Sequence, residues 1–372
     1  MKQIVSLLLV ALSLVSLCGC GILEREKEDP DPPSINSGID LASVYDSMQG
    51  DGEIGVEIVT SEKSAYNPLT GEYTMAQDRV GKRPLAISVN NISQSWPQYG
   101  ISKADYIVEI ETEGGITRLM CLFSDTREIE MIGSVRSLRD QFIEALFPLD
   151  PIIVHIGTSI YADKIIAQYN YKTLDGGNYA STIWTDRARA GQYSSEHTKF
   201  TGGSAIEKGI ASAKIMTESY SSISAFNFVD PNDAAVIPST GAAASVKYSF
   251  SSGYDGDFRY DATTKTYKKW QFGRQHVDAG NDNVQLEFDN LFLLFADISR
   301  YPDGLLVDIK YENGGEGYYF SQGRYEKITW SKVDYPSNFT FTKLDGTELE
   351  VNVGKTHMGV VNKDYATRLT IS

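Results

Sequence analysis

The 372-residue sequence predicts an α+β fold, with a mixed α/β domain over residues 81–216 and a smaller β-rich domain over 245–365. Three observations carry the prediction. In the first stretch, short apolar runs such as Leu85 to Val89 alternate with segments whose apolar residues recur at helical spacing. In the second, Asp255-Gly256, Asp303-Gly304, Gly314-Gly315 and Asp345-Gly346 punctuate strand-like runs, and no helical period stands out. Between the two, residues 217–244 are rich in Ser, Ala and Pro and read as a linker.

Taken in order, the chain begins with an export signal. Lys2 supplies a positive start, and Ile4 to Leu17 is apolar with only serines interrupting it. That length suits a signal peptide and falls short of the roughly 20 residues a spanning helix needs. Leu17-Cys18-Gly19-Cys20 then matches a lipobox, with small Gly19 before the cysteine, whereas Leu17 is too large for the position before Cys18. Residues 1–19 are read as the signal peptide and Cys20 as the lipidation site, carrying diacylglycerol and an N-terminal acyl group such as palmitate. Residues 20–80 read as an acidic tether, where Glu24, Glu26, Glu28, Asp29 and Asp31 crowd beside three prolines.

Net charge is -15, and removal of residues 1–19 takes away Lys2 and no acid, giving -16. So acidic a surface argues against nucleic acid as a partner. After lipidation of Cys20 only Cys121 remains as a thiol, so no intramolecular disulfide framework is available. Its apolar neighbours predict a buried, inert side chain.

Within the first domain, Leu85 to Val89, Tyr106 to Ile110, Ile116 to Phe123 and Pro151 to Ile156 read as strands. Helices are predicted over Ser137 to Phe147, Tyr161 to Tyr169 and Ser204 to Ile215. In the second domain, Val284 to Phe288, Leu291 to Phe295, Leu305 to Ile309 and Tyr318 to Phe320 read as strands.

The chemistry-bearing residues gather in the first domain. Ser137-Leu-Arg-Asp140 resembles a capping box, which places Arg136 before a helix and Arg139 in its first turn. Cations there oppose the helix dipole, which predicts a nearby anion: either a ligand or an internal carboxylate such as Glu111, Glu113 or Asp140. Glu109, Glu111 and Glu113 alternate, so all three share one strand face, read as solvated, with Arg118 returning opposite them after Gly114-Gly115. His155 ends a strand, and His197 lies in a polar loop. No HxH, HExxH, CxxC or GxSxG spacing exists, so neither a metal set nor a serine nucleophile is predicted, and no cofactor is implied.

Ordered motifs extend the reading. They are Pro68-Leu-Thr-Gly, Arg83-Pro84, Glu113-Gly-Gly-Ile-Thr-Arg118, Gly133-Ser-Val-Arg-Ser-Leu-Arg139, and His155-Ile-Gly157 with Ser159. Leu174-Asp-Gly176, Tyr267-Lys-Lys-Trp270, His276-Val-Asp278 and Gly315-Glu-Gly-Tyr-Tyr-Phe320 follow. Through these the chain resembles the YerB-like lipoprotein family, a two-part domain of unknown function. The resemblance implies an envelope lipoprotein with a two-part body and brings no established reaction. One departure is local: relatives read Ala-Pro-His-Asn where this chain has Ser195-Glu196-His197-Thr198.

The expectation is a lipid-anchored, extracytoplasmic lipoprotein that binds an envelope glycan, peptide stem or partner protein. Its ligand residues would be Arg118, Arg136, Arg139, His155 and His197, with Glu113 orienting the arginines. Two alternatives stand beside it: a glycan hydrolase or lyase using Glu111 or Glu113, and a structural scaffold.

Overall fold

Strands covered on both faces need apolar residues at every position, and the predicted runs in the first half have that character. The computed structural model of the protein describes residues 65–219, 221 and 223–372. These residues form one compact unit. The signal peptide, Cys20 and the tether up to residue 64 lie outside the described residues.

The elements that position the site are β1 (Leu85–Asn90), β2 (Tyr106–Glu111), β3 (Thr117–Phe123), α1 (Asp140–Leu146), β4 (Ile152–His155), α2 (Ile160–Gln168), β5 (Leu174–Asp175) and α3 (Gly203–Ala213). After them come β6 (Ser245–Ser249), β7 (Asp255–Asp261), β8 (Thr266–Gln271), β9 (Asn290–Arg300), β10 (Gly315–Ser321), β11 (Arg324–Ser331), β12 (Thr340–Lys343) and β13 (Thr356–Asn362). The main sheet runs β12-β11-β10-β9-β13-β2-β3-β1-β4-β5. It therefore crosses from the β-rich half into the α/β half through the parallel β2/β13 pair, with Val108 opposite Met358. A second antiparallel sheet centres on β6, β7 and β8.

Alternation along the strands divides the core into two layers. Ala86, Val108, Met120, Ile153, Phe292 and Val360 face one side, where Phe142, Ile143 and Leu146 of α1 cover them. Each of these side chains larger than alanine contributes about 1.5–3 kcal/mol on burial. Ile87, Leu119, Val154 and Leu293 face the other side, under α3 and the second sheet. Both layers draw on both halves of the sequence.

The fold class is as expected, and three local readings need correction. The helix starts at Asp140, not Ser137, because Val135 to Leu138 is held as extended chain by Ser88, Ile156 and Gly157. The segment 217–244 is no free connection: Ala225 and Phe226 are buried in the α1 layer, and Gly241–Ala242 pairs with β11. Residues 65–80 belong to the body and not the tether, with Leu69 buried and Ala65 bridged to Met75.

Candidate functional site

β1, β2, β4, β5, β9 and β13 all point the same way, so their carboxyl ends share one edge of the main sheet. Such edges host sites where neighbouring strands part. β1 and β4 pair only over Leu85–Ile87 and Ile152–Val154. Beyond that point the segment Val135–Leu138 enters between them: Arg136 N donates to Ser88 O (2.9 Å), and Ile156 N donates to Arg136 O (3.2 Å). The crevice is thus filled by the chain's own Gly133–Arg139 motif.

That wedge gathers the predicted arginines. Arg118 opens β3 and is buried; its Nη2 donates to Glu113 Oε1 (2.7 Å) and its Nη1 to Ser137 O (2.6 Å). Arg139 reaches the same carboxylate through Nε (2.9 Å) and Nη2 (2.5 Å). Glu113 can turn back toward both because Gly114 and Gly115 adopt left-handed φ of 71° and 74°. Burial pushes the Glu113 carboxyl up, but the Arg139 hydrogen bonds and the charges of Arg118 and Arg139 outweigh it and hold it down to about 2. A carboxyl so acidic carries no proton to donate at neutral pH. The anion that the sequence placed among the arginines is therefore supplied by Glu113 itself. Glu111 is buried and pairs with Arg300 (2.6 Å).

Arg136 stands apart from that pair. Its Nη1 meets Glu196 Oε2 at 3.2 Å, on a half-exposed surface. Glu196 is one of the three positions at which Ser195-Glu196-His197-Thr198 differs from the Ala-Pro-His-Asn expected of relatives, and it furnishes the counter-charge. His197 is buried beside it, with Nδ1 at 3.0 Å from Asn90 Nδ2. Burial lowers its pKa, against the opposing charge of Glu196.

The strand face that carries Glu109 is not solvated, which corrects the sequence reading. The second sheet covers it. Glu109 Oε2 accepts from Lys269 Nζ (2.8 Å) and His357 Nε2 (3.0 Å), while Oε1 accepts from Asn91 and Thr117. Glu109, Lys269 and His357 are all fully buried, and burial pulls His357 down to about 4. Lys269 and His357 thus seat one sheet on the other, and the motifs Tyr267–Trp270 and His276–Asp278 belong to this seam, where buried His276 meets Gln98 Oε1 through Nε2. The sequence marked this seam only through the motifs Tyr267-Lys-Lys-Trp270 and His276-Val-Asp278, with no sign that they cover Glu109.

A cleft of about 550 Å³ opens on the outer flank of β5, between α2 and the end of α3. Asp163, Asn170, Lys172, Asp175, Asn178 and Tyr179 line its polar walls, and Ile166 and Ile215 its apolar ones. Of the predicted ligand residues, only His155 reaches it. His155 is itself buried and satisfied, with Nδ1 on Gly157 O (2.9 Å) and Nε2 on Thr173 Oγ1 (2.9 Å). Asp175 Oδ1 accepts from Gly157 N (3.0 Å) and Gly177 N (2.9 Å), which fixes the strand end, and Oδ2 faces Asn178 Nδ2 (3.3 Å). Leu174-Asp-Gly176 was legible as a motif, but its role as a wall was not, because the other wall comes from α3 some forty residues later. Cys121 is buried, and burial pushes its thiol far up. Among the described residues no group of three or more His, Cys, Asp or Glu is arranged to hold a metal ion.

Comparison with known proteins follows the same outline. Residues 69–216 match the family described as protein of unknown function (DUF3048) N-terminal domain, and residues 244–358 match its C-terminal domain. A Bacillus subtilis protein named "Putative lipoprotein YerB" is 27% identical over 303 residues, covering 80% of this chain and 87% of that protein. The crystal structure of YerB from Bacillus subtilis is similar with a TM-score of 0.69 at 26% identity, covering 82% of this chain and 99% of that one.

Proposed function

Since the chain belongs to the two-part DUF3048 family, we propose that it is a lipid-anchored envelope lipoprotein that binds a hydroxyl-rich, uncharged glycan in the cleft beside β5. Likeness to a protein named as a lipoprotein supports the anchor, together with the lipobox at Cys20. Among the described residues no helix is long and apolar enough to cross a membrane, so the lipid would supply the attachment.

The observation that carries the ligand class is the make-up of the cleft walls. Carboxylate, amide and hydroxyl groups (Asp175, Asn178, Asn170, Thr173) alternate with apolar surface from Ile166 and Ile215. That mixture suits sugars, which offer hydroxyls at the rim of apolar ring faces. Two acids against one lysine disfavour an anionic ligand there. The arginine cluster contributes by position rather than by contact: Arg118, Arg139 and Glu113 brace the wedge that, through Leu138, holds Gly157 and so fixes Thr158 in the cleft wall. The hydrolytic alternative loses Glu113 as a proton donor, for the reason given by its low pKa.

The experiment is titration calorimetry of residues 21–372, made without lipid, against soluble cell-wall glycan fragments. Asn178→Ala and Lys172→Ala should each weaken binding about 3- to 10-fold, the loss of one hydrogen bond, with unchanged melting. Binding that both variants leave intact would remove the cleft from the account.

A further inference from the structure

The exposed apolar side chains are unevenly placed. Among the described residues twelve large hydrophobic side chains are exposed, and five of them, Tyr66, Tyr73, Val80, Met216 and Ile223, fall on two short neighbouring strips, so they form a patch rather than a scatter. The strips run side by side. Tyr66 Oη lies 3.4 Å from Ser224 Oγ, Ala225 N donates to Pro68 O (2.8 Å), Ser219 N to Gly81 O (2.8 Å) and Arg83 N to Thr217 O (2.7 Å). Tyr66 and Tyr73 meet edge to face, with ring centroids 6.0 Å apart. Ile223 also rims an apolar cleft of about 330 Å³ with Phe147, Pro148 and Pro336.

This patch adjoins the point where the described body begins, at Ala65, with only 44 residues between it and Cys20. It lies at the amino-terminal edge of the parallel strands, since Arg83 leads directly into β1 and its Nη2 donates to Pro151 O (3.0 Å) ahead of β4. We propose that the patch is a membrane-docking face: once Cys20 is in the bilayer, Tyr66, Tyr73 and Ile223 settle into the headgroup layer. Tyrosine suits that depth, with an apolar ring and a polar tip. The anchor makes the contact intramolecular, so a patch too weak to bind alone is still occupied. Docking turns the opposite edge of the sheet, with the Glu113–Arg139 cluster, away from the lipid. A net charge of -16 after signal removal makes neutral lipid the better surface.

The proposal rests on the anchor at Cys20, so the test supplies that anchor chemically. The full mature chain is coupled through Cys20 to a maleimide lipid in phosphatidylcholine vesicles, and amide hydrogen exchange is compared with the uncoupled chain. Exchange should slow several-fold in residues 66–82 and 216–225 and stay unchanged in 301–306, at the opposite edge. Tyr73→Ser with Ile223→Ser should abolish the slowing and leave the melting temperature unaltered. No slowing in the coupled chain, or equal slowing at 301–306, overturns the proposal. So does slowing that needs no vesicles and grows with protein concentration, which would assign the patch to a second copy. Whether cells lipidate Cys20 is read separately by fatty-acid labelling, so a failure there is not confused with a failure to dock.

Discussion

Glu113→Gln separates the two readings of the arginine cluster. In the structure one carboxylate, 23% exposed, serves Arg118 (1%) and Arg139 (11%). Breaking a fully buried pair costs about 3–5 kcal/mol because a charge is left uncompensated. Here Glu113 is partly wet, and each arginine keeps a backbone partner, Ser137 O for Arg118 and Leu138 O for Arg139. The expected loss is therefore about 2–3 kcal/mol. The acidity of Glu113 gives a second route: a fall from the ordinary 4.5 to about 2 corresponds to about 3 kcal/mol, and to about 2 after allowance for solvent screening. A depressed carboxyl stabilises fully above its unfolded value and loses that stabilisation as pH falls through its folded value. Urea unfolding of wild type and variant should thus differ by a constant amount from pH 6 to 8, with the gap closing between pH 4.5 and 2. A difference below about 0.5 kcal/mol at pH 7, when a median exposed pair is worth 0–1, would refute internal pairing and return the arginines to an external ligand. A gap that persists unchanged at low pH would refute the charge argument.

Other outcomes follow from the same structure. Lys269→Met should destabilise by about 3–5 kcal/mol by stranding Glu109, and adding Glu109→Gln should recover much of it; an additive double variant would show that the pair is not coupled. Limited proteolysis of residues 21–372 should leave one resistant fragment from about residue 65 onward, because the main sheet crosses both halves; early cleavage within 224–240 would contradict that shared core. Cys20→Ala should abolish fatty-acid labelling and release the protein from membranes, and labelling that survives would move the lipid to another residue.

The order of elements was readable because strands in the α/β half are covered on both faces and show it as continuous apolar runs. Leu85 to Val89 and Ile116 to Phe123 are such cases. What the sequence hid was how far the halves join. The change of composition near residue 217 is real, and the family's two parts divide there, yet Val108 pairs with Met358 across 250 residues. No local pattern announces a parallel pairing of that span. Glu109 misled for a related reason: alternating acids look like a wet face until a second sheet brings Lys269 and His357 against them. Ser137 looked like a helix cap, but its neighbours Arg136 and Leu138 are held as extended chain by Ser88 of β1 and by Gly157 beyond β4. An internal acid was one of two partners the sequence offered the arginines, and Glu113 and Glu196 stand there, whereas the cleft escaped because its walls come from segments far apart in the chain.

Whether the cleft beside β5 holds a glycan is read out by amide chemical-shift mapping. Isotope-labelled residues 21–372 would be titrated with soluble cell-wall glycan fragments. Glycan in the cleft should give saturable shifts concentrated in residues 155–179 and 213–215, with little change at Arg118 and Arg139. Shifts that instead centre on Arg136, Arg139 and His197, or that are absent at saturating glycan, would contradict it.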